Sequence, residues 1–449
     1  MKNKKIKPKT ISFIDCHDGR LVEIIGDKDK KGSTMFVVYK VIEESVEVVD
    51  QVDVDGERYI PPFDDLIGTG TILLPTYPES YGTLKELMMV IDRFIYRYLD
   101  VSDAYRKLSS YYILLSWIYD CFETIPYLRA LGDYGTGKSR FQKVIGSLCY
   151  KPMFAGGATT PSPIFRIIDL YRGTLIIDEA DFRFSDAQSE IVKILNCGYS
   201  TGVPVLRTEG EKERMPVAYN VFCPKVLATR ERFTDKALES RCLTEVMQGN
   251  PRSDIPIHLP KNFNEEALQI RNMLLMFRFK HYGQVEIKPN LAVVGVEARV
   301  NQILLPLFSI IEDDEVLEEM RTFAKQYGQQ IKDSRGEEVQ AEVLKVLVEM
   351  VKEGEMLGNK SIAEKVNQDR NVDNGEYKIS PAKIGRLNST FYNFQTKKVN
   401  GVTQIIWDSE KASRLCQRYG VDYQLVDDVD VVDHQKEDND DFAIKLFQS

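Results

Sequence analysis

Gly132-Asp133-Tyr134-Gly135-Thr136-Gly137-Lys138-Ser139 has the spacing G-x-x-x-x-G-K-[ST] of a phosphate-binding loop. Glycines at the fixed positions let successive backbone N–H groups turn inward around an anion. Lys138 is placed to reach β- and γ-phosphate oxygens, and Ser139 to ligate Mg²⁺. The flanks agree: 127–131 (Tyr-Leu-Arg-Ala-Leu) reads as a buried strand, and 139–148 has the apolar spacing of a helix that begins with Arg140 in its first turn. A phosphate would therefore meet a helix N-terminus, where free amides and the macrodipole favour negative charge. A Gly-rich surface turn would show the same octamer, but not between a strand and a helix. All eight loop residues and Arg140 are thus expected to bind a nucleoside triphosphate.

A second segment completes a hydrolytic site. Arg172-Gly-Thr-Leu-Ile-Ile-Asp178-Glu179 is an apolar strand ending in two acids. A strand-end aspartate beside a phosphate loop holds the metal shell, and a following glutamate polarises the attacking water. Asp178 is accordingly assigned to the metal with Ser139, and Glu179 to the water. The interval between the two motifs holds a helix, a short strand near 151–155 and a second helix, so a strand is expected between the two motif strands. The next apolar strand, 224–229, ends in Thr229, the place from which an additional-strand ATPase bonds the γ-phosphate or the water. Arg241 follows a short helical stretch, 235–240, and is assigned to the ATP of a neighbouring subunit. Arg230 and Arg232 compete for that role, and a structural salt bridge would also explain Arg241. Arg299 opens a later helix and is expected to present itself to the phosphates.

Composition sets the frame. The chain has 449 residues, 43% of them apolar and 28% charged, which is ordinary for a folded protein of two or three domains. Seven scattered cysteines without a C-x-x-C pair, and four histidines, suggest neither a zinc site nor a disulfide framework. The basic N-terminus lacks the apolar stretch of a secretory signal, and no apolar run reaches membrane-spanning length. A cytoplasmic location and no membrane partner are expected. The net charge of −9 is concentrated in residues 426–449, where eight acids face Lys436 and Lys445. Contact with nucleic acid must then come from local basic patches.

The expected organisation is α/β with flanking modules. Residues 1–80 are β-rich and 81–124 form a helical linker region. Residues 125–325 alternate strand and helix as a parallel-sheet ATPase core with a helical lid. Residues 336–425 have a winged-helix pattern, and 426–449 form an acidic disordered tail. In the winged-helix pattern Ser380 and Pro381 start the third helix. An Asn400-Gly401 turn closes a hairpin over 394–407. Lys383 and Arg386 on that helix, with Lys397 and Lys398 on the wing, are placed to meet duplex phosphates. Winged helices also serve as protein contacts.

Taken together, Gly132–Ser139, 174–181 (Thr-Leu-Ile-Ile-Asp-Glu-Ala-Asp), 194–199, 237–241 and 299–307 resemble the AAA+ ATPases. Within them, 131–310 is similar to the replicative-type helicases of phages, plasmids and integrated mobile elements. The resemblance implies ATP and Mg²⁺ as cofactors, a homo-oligomeric ring, usually a hexamer, and nucleotide at subunit interfaces. Viral superfamily 3 and minichromosome-maintenance helicases carry a hairpin before the sensor strand whose basic tip faces single-stranded DNA in the pore. The stretch 203–219 matches that place, with Lys212 at the tip and Arg207 and Arg214 as secondary candidates. Glu209, Glu211 and Glu213 interleave with them, a departure that fits a solvated hairpin equally well. The resemblance implies a DNA helicase or helicase-like replication initiator of a mobile element. The rival is a helicase loader or protein-remodelling ATPase. The acidic tail would suit a replication partner, or simply be a solvated end.

Overall fold

The structure is a computed structural model that describes residues 8–178, 180, 186–209, 215–249, 252–336, 339–369, 378–399 and 401–423. Glu179, Lys212, Arg214 and the acidic stretch 426–449 lie outside the described residues. The chain divides into two units, Met1–Lys325 and Gln326–Ser449. The first includes the N-terminal strands. Among the described residues no helix is long and apolar enough to cross a membrane.

Alternating apolar residues broken by Gly turns fold the N-terminal stretch into seven strands. These are β1 (Lys9–Thr10), β2 (Phe13–Asp15), β3 (Arg20–Gly26), β4 (Thr34–Lys40), β5 (Ser45–Val49), β6 (Val52–Val54) and β7 (Glu57–Ile60). β2 to β5 pair in sequence order, and β1, β7 and β6 form a second small sheet. Asp55 and Gly56 take φ of 51° and 78°, as a two-residue hairpin turn of the Asp-Gly type requires.

Three helices come next: α1 (Asp65–Gly68), α2 (Leu84–Tyr98) and α3 (Asp103–Trp117). Thr83 and Glu86 close a reciprocal capping box on α2, which buries Leu87, Ile91, Phe94, Ile95 and Tyr98 as one stripe. A charged cluster joins the N-terminal layer to the rest of this unit. Glu23 on β3, 1% exposed, accepts from the Tyr150 hydroxyl at 2.7 Å and from Lys151 Nζ at 3.0 Å. Arg278 beside it donates to both Asp120 oxygens at 2.9 and 2.7 Å.

The core alternates β8 (Tyr127–Leu131), α4 (Lys138–Gly146), β9 (Met153–Ala155), α5 (Pro161–Tyr171), β10 (Leu175–Ile177) and α6 (Asp186–Cys197). After an antiparallel hairpin, β11 (Val205–Glu209) and β12 (Met215–Tyr219), come β13 (Lys225–Thr229), α7 (Lys236–Glu239) and β14 (Cys242–Val246). The five main strands form one parallel sheet in the order β14-β8-β13-β10-β9. A strand does separate the two motif strands, but it is β13, not the strand near 151–155. β13 is buried along its whole length and takes the centre. β9 has only three residues, with Phe154 half-buried, and takes the margin. Its outer side is met by the segment 71–73: Ile72 bridges Met153, Leu73 N donates to Pro152 O and Phe154 N to Thr71 O. The helices α8 (Phe263–His281), α9 (Ala298–Ser309) and α10 (Asp314–Gly336) come after the sheet.

The second unit contains α11 (Val339–Lys352), α12 (Asn359–Asp369), α13 (Pro381–Leu387), the hairpin β15 (Thr396–Val399) and β16 (Val402–Ile405), and α14 (Ser409–Tyr419). Gly358 bridges Gln404 on the other side of β16, and Ile405 N donates to Leu357 O at 3.0 Å. Leu344, Leu347, Ile362, Val366, Ile384 and Leu387 lie in one apolar core. The Ser380 side chain accepts from Lys383 N, with Pro381 in the first helical turn.

Candidate functional site

In a parallel sheet all strands end on the same side, so the segments leaving β8, β10 and β13 share one edge. Register makes this concrete: Leu131 is level with Thr229, and Ile177 with Leu227. Gly132 N donates to Thr229 O at 3.1 Å, which fixes the start of the loop. A Cβ on Gly132 would stand 2.8 Å from Thr136 Oγ1 and 2.9 Å from Met247 O, so only glycine fits there. Gly135 and Gly137 take φ of 73° and 92°, the left-handed conformation that turns the loop back on itself. Gly137 caps α4 and has no side chain to offer the first helical amides. Those donors point into the loop as an anion cradle. Asp133 Oδ1 accepts from Tyr134 N at 2.8 Å, and Thr136 Oγ1 donates to Asp133 O at 2.8 Å.

Lys138 Nζ donates to the carbonyls of Gly132 and Asp133 at 2.7 and 2.6 Å. It curls over its own loop, where a phosphate would compete for the same protons. Ser139 Oγ donates to Asp178 Oδ2 at 3.1 Å, across 39 residues of sequence. A hydroxyl and a carboxylate are hard oxygen donors that suit Mg²⁺, which takes one or two protein oxygens and fills its octahedron with water and phosphate. Among the described residues no group of three His, Cys, Asp or Glu would hold a metal unaided. The backbone around Asp178 is fixed on both sides: Asp178 N donates to Ala155 O at 3.1 Å and Ala180 N to Ala228 O at 2.9 Å. Gln142, on the buried face of α4, donates to Ile177 O.

Thr229 is 1% exposed, and its hydroxyl has no hydrogen-bond partner among the described residues. A buried hydroxyl beside the loop, with its bonding capacity unused, is suited to a ligand or a water. Arg230 stacks on the Tyr134 ring at 3.9 Å, so it belongs to this loop's surroundings. Arg232 pairs with Glu239 at 3.2 Å. Arg140 donates to the carbonyls of Pro256, at 2.6 Å, and Ile257, which pins the first turn of α4 to the chain beyond β14.

The remaining two arginines lie elsewhere. Arg241 precedes β14, and Cys242 is level with Tyr127, the first residue of β8. Arg241 is therefore at the opposite edge of the sheet from the loop. Its guanidinium donates to Asn196 O at 2.9 Å and to the Asn196 side chain, and lies 4.8 Å from the Tyr199 ring centre. Arg299, expected to present itself to the phosphates, stands away from the loop of its own chain. It donates to Ser240 Oγ at 3.2 Å and lies 4.7 Å from the same Tyr199 ring. Ser240 stands two residues before β14, on the side of the sheet away from the loop, and a side chain anchored there cannot span the sheet.

The hairpin expected over 203–219 is present as β11 and β12, with its tip outside the described residues. Arg207 is not at the tip. It pairs with Glu190 on α6 and lies 5.0 Å from the Phe165 ring. In the second unit Arg386, Lys397 and Lys398 are exposed and Lys383 is half-buried.

Two features escaped the sequence reading. Arg129 on β8, fully buried, pairs through both terminal nitrogens with Glu239. Burial alone would push the Glu239 carboxyl up, but the Arg129 hydrogen bonds and charge outweigh it and hold it below the usual range. Its only sequence signal is a charged residue inside an otherwise apolar strand. The other is a cavity of 620 Å³ that opens beside Ser139 and Asp178 and reaches Arg271 on α8.

No family model and no curated protein matches the chain. Among solved structures it is similar to the C-terminal region of NrS-1, with 12% identity and a TM-score of 0.37, covering 86% of this chain and 96% of that one. It is similar to the active helicase Cch of SCCmec type IV, with 8% identity and a TM-score of 0.39, covering 92% and 80%. A full-length MCM homolog from Methanopyrus kandleri gives 9% identity and a TM-score of 0.36, covering 69% and 77%. The strand order and the Gly132–Ser139 loop, rather than these distant likenesses, define the α/β P-loop core.

Proposed function

We propose that the protein is an ATP-hydrolysing AAA+ ring motor acting on DNA, a helicase or helicase-like replication initiator of a mobile element. One observation carries the reading: the Ser139 hydroxyl and the Asp178 carboxylate meet at 3.1 Å, at the foot of a glycine loop that opens a helix. ATP would lie in the Gly132–Ser139 cradle, with Mg²⁺ held by Ser139 and Asp178. That ion would supply charge neutralisation at the β- and γ-phosphates. Lys138 leaves its loop carbonyls to meet the same oxygens. Glu179 takes a proton from the attacking water; the water oxygen bonds the γ-phosphorus as the bond to ADP breaks, giving ADP and orthophosphate. Thr229 orients that water. Arg241, at the far edge of the sheet, serves a neighbouring chain in a homo-oligomer, for which a hexamer is the expected form.

The DNA contacts proposed are Lys212, with Arg214, at the hairpin tip for a single strand, and Lys383, Arg386, Lys397 and Lys398 for duplex on a winged helix. Support for the latter is the order of three helices and a hairpin, with a bridge at Gly358. A second reading, a loader or remodelling ATPase that grips a protein, is favoured by one observation: Arg207 on the hairpin is held by Glu190 and Phe165. ATPase turnover with and without single-stranded DNA, run beside strand separation on a forked duplex, tests both. Strand separation supports the motor. Turnover indifferent to DNA supports the remodeller.

A further inference from the structure

Among the described residues of the first unit, three arginines are almost wholly buried on strands and helices of the core, and two of them have carboxylate partners. Arg129 has Glu239, and Arg278 has Asp120. Arg271, 5% exposed on α8, has none among the described residues. Its Nη1 donates to Ser147 O at 2.7 Å, and its Nε has no partner among the described residues. Burial without a counter-charge lowers its pKa to about 10. A buried guanidinium with one neutral acceptor is costly to keep, and a bound anion would repair the deficit.

The cavity shows where that anion would sit. It is lined by Ser139, Gln142 and Lys143 of α4, by Ser147 at that helix's C-cap, and by Arg271, which bonds the Ser147 carbonyl. From Ser139 to Ser147 is eight residues, about 12 Å along a helix axis. A phosphate group bonded to Arg271 is thus too far along α4 to be part of a nucleotide seated in the loop. Lys143 adds a second cation one helical turn from Ser139 and from Ser147, and Thr69 and Gly70 also line the cavity. Asp178, which lines the cavity beside Ser139, repels an anion that has left the metal.

We propose that this cavity is a second phosphate site, in which Arg271 and Lys143 bind orthophosphate as its first stop after hydrolysis. The binding half stands on the cavity alone; the product half rests on the hydrolytic reading above.

Equilibrium dialysis of labelled orthophosphate against the full chain, saturated with Mg-ADP, tests it. One phosphate per chain is expected beyond the nucleotide. Arg271→Met should weaken it about tenfold or more, as loss of a charge-assisted pair does, with ADP uptake unchanged, and Arg271→Lys should recover part. Lys143→Gln should weaken phosphate without touching ADP, and it carries the test if Arg271→Met does not fold. ADP uptake with no second phosphate, or equal phosphate affinity in wild type and both variants, overturns the inference. Arg271-dependent phosphate binding in a protein that takes up no ADP would sink the hydrolytic reading and leave the site standing.

Discussion

Arg129 Nη1 and Nη2 donate to the two oxygens of Glu239 at 2.6 and 2.7 Å, with Thr244 Oγ1 accepting from the same guanidinium at 2.9 Å. The pair ties the strand that launches the phosphate loop to the helical turn just before Arg241. Breaking one side of a buried pair leaves the other charge without compensation. Glu239→Gln is expected to lower stability by about 3 kcal/mol, read as the urea midpoint at neutral pH. The sign with pH comes from the depressed Glu239 carboxyl: its contribution is present above the ordinary glutamate range and is lost as pH falls through the folded-state value. Wild type should lose stability more steeply than Glu239→Gln below that range; parallel curves would refute the coupling.

Arg241 cannot serve the loop of its own chain, because the sheet lies between them. Arg241→Ala should assemble, yet lose about 10³-fold in turnover. Mixing it with Lys138→Ala chains, equally inactive alone, should restore activity, since mixed rings contain interfaces with both groups intact. Mixtures that stay silent would place Arg241 in a structural role with Asn196 and Tyr199.

Lys138→Ala should weaken nucleotide binding by on the order of 3 kcal/mol, measured by fluorescence of a labelled nucleotide. Glu179→Gln should bind ATP normally and lose about 10²- to 10⁴-fold in turnover, the range for a general base. Full turnover in Glu179→Gln would move the base elsewhere.

On the second unit, Lys397→Ala and Lys398→Ala should each reduce the slope of log affinity against log salt by about 1 for duplex DNA. An unchanged slope would leave this unit to protein contacts.

What could be read in the residues alone was local. The Gly132–Ser139 spacing and the acid after Ile177 each specify a short backbone path, and a parallel sheet brings both to one edge whatever its strand order. The order itself was not legible: both 151–155 and 224–229 read as apolar strands, and only full burial of the latter sends it to the centre. Where Arg299 stands relative to its own loop was not legible for the same reason. Its distance from the loop depends on which edge α9 meets, and no residue near 299 encodes that. Arg271 hides in a helix whose apolar neighbours give it no distinguishing pattern.

The contact of residues 71–73 with β9 has a bearing on shortened forms of the protein. Without those residues the outermost strand would present unsatisfied amides and carbonyls to solvent, a template for joining sheets between molecules. A fragment beginning at 125 would therefore clump rather than behave as a free-standing P-loop core, whereas one that keeps this short ribbon retains its seal.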